Sequence, residues 1–223
     1  MKKMFLSAFL MMLLLSNSKA QQVVPVYQEP RHKQVLLNKY VRVIDALIEN
    51  GDTSLFHIHA APSAFVIMND VSYSNQEMGQ PFSTVTFKKG HAWFSSYADG
   101  PVTHRVVAPK NVEIHAFDVE ILGNFKGEFS SWKLMSADTI YNNEKSAGYR
   151  ITLTAENPVV QFESRGPIVA ILVEGEEIQI KQPDSRVDIG LEEGDYGYIR
   201  PTSAFSIRLK SGDAAKLVLI EVK

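Results

Sequence analysis

The sequence predicts an all-β protein, a sandwich or barrel. Three observations carry that expectation. Short segments rich in Val, Ile, Thr and aromatic residues alternate with period two. Turn residues recur about every eight to twelve positions between them, and no segment sustains a 3.6-residue apolar period.

The first twenty residues stand apart from the fold. Lys2 and Lys3 precede an apolar run from Met4 to Leu15, and Ser18-Lys19-Ala20 offers the small residues of a cleavage site before Gln21. Residues 1–20 therefore read as a secretory signal peptide, and the mature chain is expected in the periplasm or secreted, with no stable membrane span once the signal is removed. The chain has no Cys, which excludes disulfides, a lipid-anchored Cys and Cys metal ligation. A net charge of -2 with both signs interspersed leaves no basic footprint, so nucleic acid is not expected as a partner. There is no Gly-rich phosphate loop, no G-x-S-x-G elbow and no Cys nucleophile.

After a Pro-marked entry at Pro25 and Pro30, Tyr40 to Ile48 reads as a strand closed by the turn residues Asn50-Gly51-Asp52. A strand ending at His59 follows, then Ser63 to Asn69. Phe82 to Phe87 and His91 to Ser95 flank Lys88-Lys89-Gly90 as a hairpin, and Thr103 to Val107 and Val112 to Leu122 complete the half. Residues 21–122 make one expected domain. Residues 123–148 turn polar and read as a linker, with Trp132 and Leu134 as an extended cover inside it. From Tyr149 the strand rhythm resumes, and 149–223 make a second domain.

The two halves read as one unit written twice. Phe87-Lys88-Lys89-Gly90-His91 matches Leu191-Glu192-Glu193-Gly194-Asp195, 104 positions on, and Val119-Glu120-Ile121 matches Ile220-Glu221-Val222, 101 positions on. The difference places extra residues in the loop 95–100 of the first half. In this register His57 and His59 fall on Gln161 and Glu163, and His104 falls on Phe205. All three imidazoles are lost together, as expected if they act as a unit.

His57 and His59 share one face of their strand, with Phe56 and Ile58 on the other. His104 stands in the segment that reads as the opposite wall. Three imidazoles on neighbouring strands suit a divalent transition metal, Fe, Mn, Ni, Zn or Cu, with open coordination positions. His115 lies on a strand that could approach the site but reads first as a satisfied half-buried histidine. His91 reads as a polar turn residue and His32 as a surface one. Trp93 and Tyr97, beside the lengthened loop, are candidates for a lid.

At Gly51, His57 and His59, then Gly90, Gly100-Pro101 and His104, the chain resembles the cupin superfamily. The resemblance extends over most of residues 25–122, including Glu29-Pro30-Arg31-His32, Asn38 to Asp45 and Asp118 to Leu122, which look like a little-characterised group of exported bacterial cupins. It implies two double-stranded β-helix (jelly-roll) barrels, a bicupin whose second barrel is degenerate and resembles the family only through Gly194-Asp195, Pro201 and the strand rhythm. It also implies a small-molecule ligand or substrate, and a metal held by His57, His59 and His104. The motif's usual Glu is missing, since Ser63 and Ala64 stand there. A carboxylate from Glu113, Asp118 or Glu120 could replace it, and a three-His set should favour an anionic ligand. Some three-His cupins are dioxygenases, so the expected function is a metal site acting on a small polar or anionic molecule, dioxygenase-like chemistry included. The alternative is a non-catalytic binding or assembly module. Exposed strand edges also suggest a homodimer.

Overall fold

The computed structural model describes residues 22–125, 133–183 and 185–223. The signal-like leader 1–20 and Trp132 lie outside them. In the first half the strands are β1 Val23–Pro25, β2 His32–Leu37, β3 Val41–Ile48, β4 Phe56–His59, β5 Ser63–Ile67, β6 Val71–Glu77, β7 Ser83–Phe87, β8 Ala92–Ser95, β9 Val102–Val107 and β10 Ile114–Ile121. They form two sheets, ordered β1-β4-β9-β6-β7 and β2-β3-β10-β5-β8. The second half supplies β11 Asp138–Asn142, β12 Ser146–Thr154, β13 Val159–Arg165, β14 Ile168–Glu174, β15 Glu177–Lys181, β16 Ile189–Glu192, β17 Tyr196–Ile199, β18 Thr202–Ser211 and β19 Ala214–Val222. Their sheets run β11-β12-β19-β14-β17 and β13-β18-β15-β16. Each half is a two-sheet jelly roll, as the strand rhythm predicts.

The apolar runs Ile168 to Val173 and Leu217 to Ile220 belong to strands buried on both faces. Ile168, Ala170, Leu172, Leu217 and Leu219 point into the second barrel's own core. Val169, Ile171, Val173, Val218 and Ile220 point the other way, where they meet Val41, Val43, Val66, Phe117 and Val119 of the first barrel. The barrels therefore pack back to back through the sheets containing β10 and β19. The opposite faces of β3, β5 and β10 look into the first barrel and place Ile48, Ile67 and Ala116 beside the histidines.

Four expectations need correction. The stretch read as a linker contains β11 and the start of β12. β11 is a mostly exposed edge strand with a bulge, so it lacks the apolar alternation that would have marked it. β6 has no counterpart among the expected strands, because its Ser, Asn and Gln residues give it a polar composition. The Lys88-Lys89-Gly90 turn does not close a hairpin. β7 pairs with β6, whereas β8 pairs with β5 in the other sheet, so the turn is a corner between sheets.

The fourth concerns the repeat. Its turns superpose: Gly90 N donates to Ile67 O at 2.8 Å and Gly194 N to Leu172 O at 2.9 Å. Both glycines sit at positive φ, +78° and +91°, which Gly adopts without a Cβ clash. At β4, however, the offset is 105. His57 pairs with His104 across β4 and β9, and its inward-facing counterpart pair across β13 and β18 is Phe162 with Phe205. Gln161 and Glu163 face outward, because a one-residue shift inverts a strand's faces.

Candidate metal centre

β4 is four residues long and has neighbours on both sides, β1 in parallel and β9 antiparallel. That pairing fixes which side chains face inward. His57 and His59 are buried, and His104 enters from β9 directly opposite His57. Asp52 and Glu29 hold Arg31 at the entrance to β4, with Arg31 Nε 2.7 Å from Asp52 Oδ2 and Nη1 3.0 Å from Glu29 Oε1. Glu29 Oε1 also accepts from Leu55 N at 3.1 Å, which ties the loop before His57 in place.

The rear nitrogens decide what the site can do. His57 Nδ1 is 3.0 Å from Leu55 O, and a carbonyl only accepts, so the proton is on Nδ1 and the Nε2 lone pair is free. His104 Nδ1 likewise faces Asn75 Oδ1 at 2.6 Å, which leaves its Nε2 free. His104 Nε2 stands 3.0 Å from His59 Nε2. One ring nitrogen from each of the three histidines lies within 4.8 Å of the others. Two nitrogens about 2.1 Å from one ion at a right angle lie about 3.0 Å apart, so the His59–His104 pair already has the spacing of neighbouring ligands. Burial holds His57 far below the ordinary imidazole range, reinforced by His104, His32 and His59. Burial likewise pushes His104 down to about 3, with His59 and His32 adding to the effect. Both rings are thus kept neutral, as metal ligands must be.

Behind His59 stands Asp118. Its Oδ2 is 3.3 Å from His59 Nδ1, but the groups are not aligned, and neither Asp118 oxygen nor His59 Nδ1 has a hydrogen-bond partner among the described residues. The donor set of three imidazoles, with orphaned polar atoms beside it, fits a divalent transition metal.

The cavity at the histidines is about 80 Å³, far below the roughly 300–1,000 Å³ of pockets for drug-sized ligands. Phe65, Ile67, Tyr73 and Trp93 give it apolar walls. Of the two lid candidates, Trp93 is a wall, stacked between Phe65 at 4.9 Å and Phe87 at 5.0 Å. Tyr97 stacks on His59 at 5.7 Å with its backbone at φ +50°, a conformation costing a non-Gly residue about 1–3 kcal/mol. Burial, with Asp118 and Glu120 adding charge, pushes its phenol up.

His115 does not join the site. It follows the opposite face of β10 from Ala116 and Asp118, and its Nε2 lies 2.9 Å from Asp45 Oδ1. Glu120 is on the site's side of β10, but its carboxylate is bonded to Arg42. Burial and Asp118 raise its pKa against the pull of Arg42. Glu113 is exposed. His32, read from sequence as a surface residue, lines the cavity with its ring 4.7 Å from His57. Nothing in its Pro-flanked context marks a strand that turns inward. Asn75 was also missed, because β6 itself was. A larger cleft of about 530 Å³ between the barrels, lined by Lys39, Tyr40, Tyr198 and Arg200 among others, contains none of the histidines.

No protein-family model and no curated protein matches the chain. Solved structures do. YhhW from Escherichia coli matches at 13% identity over 86% of this chain and 89% of its own, with a TM-score of 0.60. A cupin 2 conserved barrel domain protein from Leptotrichia buccalis matches at 10% identity, over 86% and 88%, with a TM-score of 0.55. An oxalate decarboxylase matches at 9% identity, over 82% of this chain and 69% of its own, with a TM-score of 0.54. The chain has the cupin fold.

Proposed function

We propose that this cupin-fold protein holds a divalent transition metal, Fe, Mn, Ni, Zn or Cu, through His57, His59 and His104, and uses it to bind or transform a small polar or anionic molecule. The observation that carries the reading is the fixed direction of the rings. Leu55 O and Asn75 Oδ1 keep the protons of His57 and His104 on Nδ1, so both Nε2 lone pairs face the centre. A bound ion would supply Lewis acidity and open positions for a ligand oxygen. Phe65, Ile67 and Trp93 exclude water around it, and Tyr97 covers His59. Oxalate decarboxylase, by its name, acts on a small anion, which agrees in size with the cavity. The leader-like residues 1–20 support export to the periplasm or beyond.

Metal content is the decisive measurement. Full-length protein purified without a His tag should carry close to one equivalent of metal, and His57→Ala, His59→Ala and His104→Ala should each lose it. Less than about a tenth of an equivalent in the unaltered protein, unchanged in the variants, would leave the non-catalytic module as the better description.

A further inference from the structure

We infer that Asp118 is the positioning carboxylate of this centre, supplying from β10 and through His59 the negative charge that Ser63 and Ala64 do not supply. The inference rests on the metal reading above and deepens it.

His59 stands between the centre and Asp118. His104 presents a lone pair at Nε2, 3.0 Å from His59 Nε2, while Asp118 Oδ2 stands 3.3 Å behind His59 Nδ1. The two ring nitrogens of His59 therefore look opposite ways, Nε2 toward the centre and Nδ1 toward Asp118. With a cation held at Nε2, Nδ1–H would be donated to Asp118, an arrangement that orients a ligating ring and raises its basicity. Asp118 is only 4% exposed, lines the cavity, and has two oxygens without a hydrogen-bond partner among the described residues. Glu120 cannot take this role, because Arg42 already occupies its carboxylate.

The second barrel is an internal control. Asp118 faces Phe65 and Ile44 across its neighbours, and Leu219 faces Ala170 and Tyr149 in the same places. Leu219 is therefore the counterpart of Asp118, as Phe162 and Phe205 are of His57 and His104. Asn75, which anchors His104, corresponds likewise to Ile180. Glu120 corresponds to Glu221, so that buried glutamate is kept in both barrels. Asp118 is present where the histidines are and absent where they are not; Glu120 is indifferent to them.

The test uses the full chain without a tag, with Asp118→Asn as the isosteric change and Asp118→Leu as the residue the second barrel carries there. Zn²⁺ affinity is measured by competition with a chelator, and Co²⁺ binding by its visible absorption. Both variants should bind about 10–100-fold more weakly than the parent, with an altered Co²⁺ spectrum. In chelator their melting temperatures should equal or exceed the parent's, because a buried carboxylate without a hydrogen-bond partner is a cost to the metal-free fold. Unchanged affinity in both variants would overturn the assignment while leaving the three-His site intact. Weaker binding that tracks a fall in metal-free stability would overturn it too, by making Asp118 a structural residue. A parent protein that takes up neither ion would sink the metal reading and this inference with it.

Discussion

The two barrels share a topology and differ in what fills their centres. The first closes around His57, His104, Asn75 and Asp118. At the corresponding positions the second closes around Phe162, Phe205, Ile180 and Leu219, all packed in one apolar core. Phe162 and Phe205 lie 5.0 Å apart, ring against ring, where the first barrel pairs His57 with His104 at 4.5 Å. The fold therefore does not require the polar cluster. A barrel closes well on aromatic contacts alone, so buried imidazoles with depressed pKa values and an orphaned carboxylate are a stability cost that a function must explain.

The largest expected effect comes from treating the two pairs alike. Phe205→Ala should remove about 3–5 kcal/mol of stability in urea unfolding, since it opens a cavity in a sealed core. It should leave metal content unchanged. His104→Ala should do the opposite, abolishing metal uptake while costing the metal-free protein far less. If both variants lost stability equally, the first barrel would be a packed core like the second and the contrast between them would fail.

A graft sharpens the same point. His57→Phe with His104→Phe copies the second barrel's pair into the first. The double variant should take up less than about a tenth of an equivalent of metal and melt, in chelator, at or above the parent's temperature. A large drop in melting temperature would show that the first barrel's walls are shaped for imidazole rather than merely tolerant of it.

Acid should separate the barrels next. The folded state keeps His57 and His104 neutral while the unfolded chain protonates them near 6.5. Below that pH the unfolded state binds more protons, so stability is full above about 6.5 and falls as pH drops toward His104's value of about 3. Each ring contributes a slope of up to about 1.4 kcal/mol per pH unit. Metal-free parent protein should show this loss in unfolding titrations between pH 7 and 5, and the His57→Phe, His104→Phe variant should be markedly flatter. Parallel curves for the two proteins would mean that the rings are not held neutral.

What the sequence disclosed follows the same division. The three candidate ligands were legible because period-two alternation fixes the face of His57 and His59, and the repeat exposed His104 as part of the set. Alternation cannot fix register between repeats, and a single-residue error sent His57 to the exposed Gln161 instead of the buried Phe162. The residues behind the three histidines were harder still. Asn75 sits on a strand with too little apolar pattern to be recognised, and His32 reaches the cavity from β2, the edge strand beside β3, which the sequence did not mark. Asp118 stood among three candidate carboxylates that sequence could not rank. Ranking them requires knowing that Arg42, across β3 and β10, already occupies Glu120.

The smallest effects lie where the barrels meet, at the two superposed turns. Alanine at either Gly90 or Gly194 forces a positive φ on an L residue, at about 1–2 kcal/mol each. A Cβ at Gly194 meets nothing within 4 Å, whereas one at Gly90 comes 3.3 Å from Val173 Cγ1 of the other barrel. Gly90→Ala should therefore be the more destabilising, by whatever Val173 must yield. The Lys89–Glu193 pair joins these same turns, but the side chains are 26% and 50% exposed. Lys89→Ala should cost no more than about 1 kcal/mol, and less in high salt. If Lys89→Ala exceeded Gly90→Ala in urea unfolding, the contact between barrels would depend on charge at its rim. The shared apolar face of Val43, Val119, Ile171 and Ile220 says otherwise, since it is sealed from water and has no charge to screen.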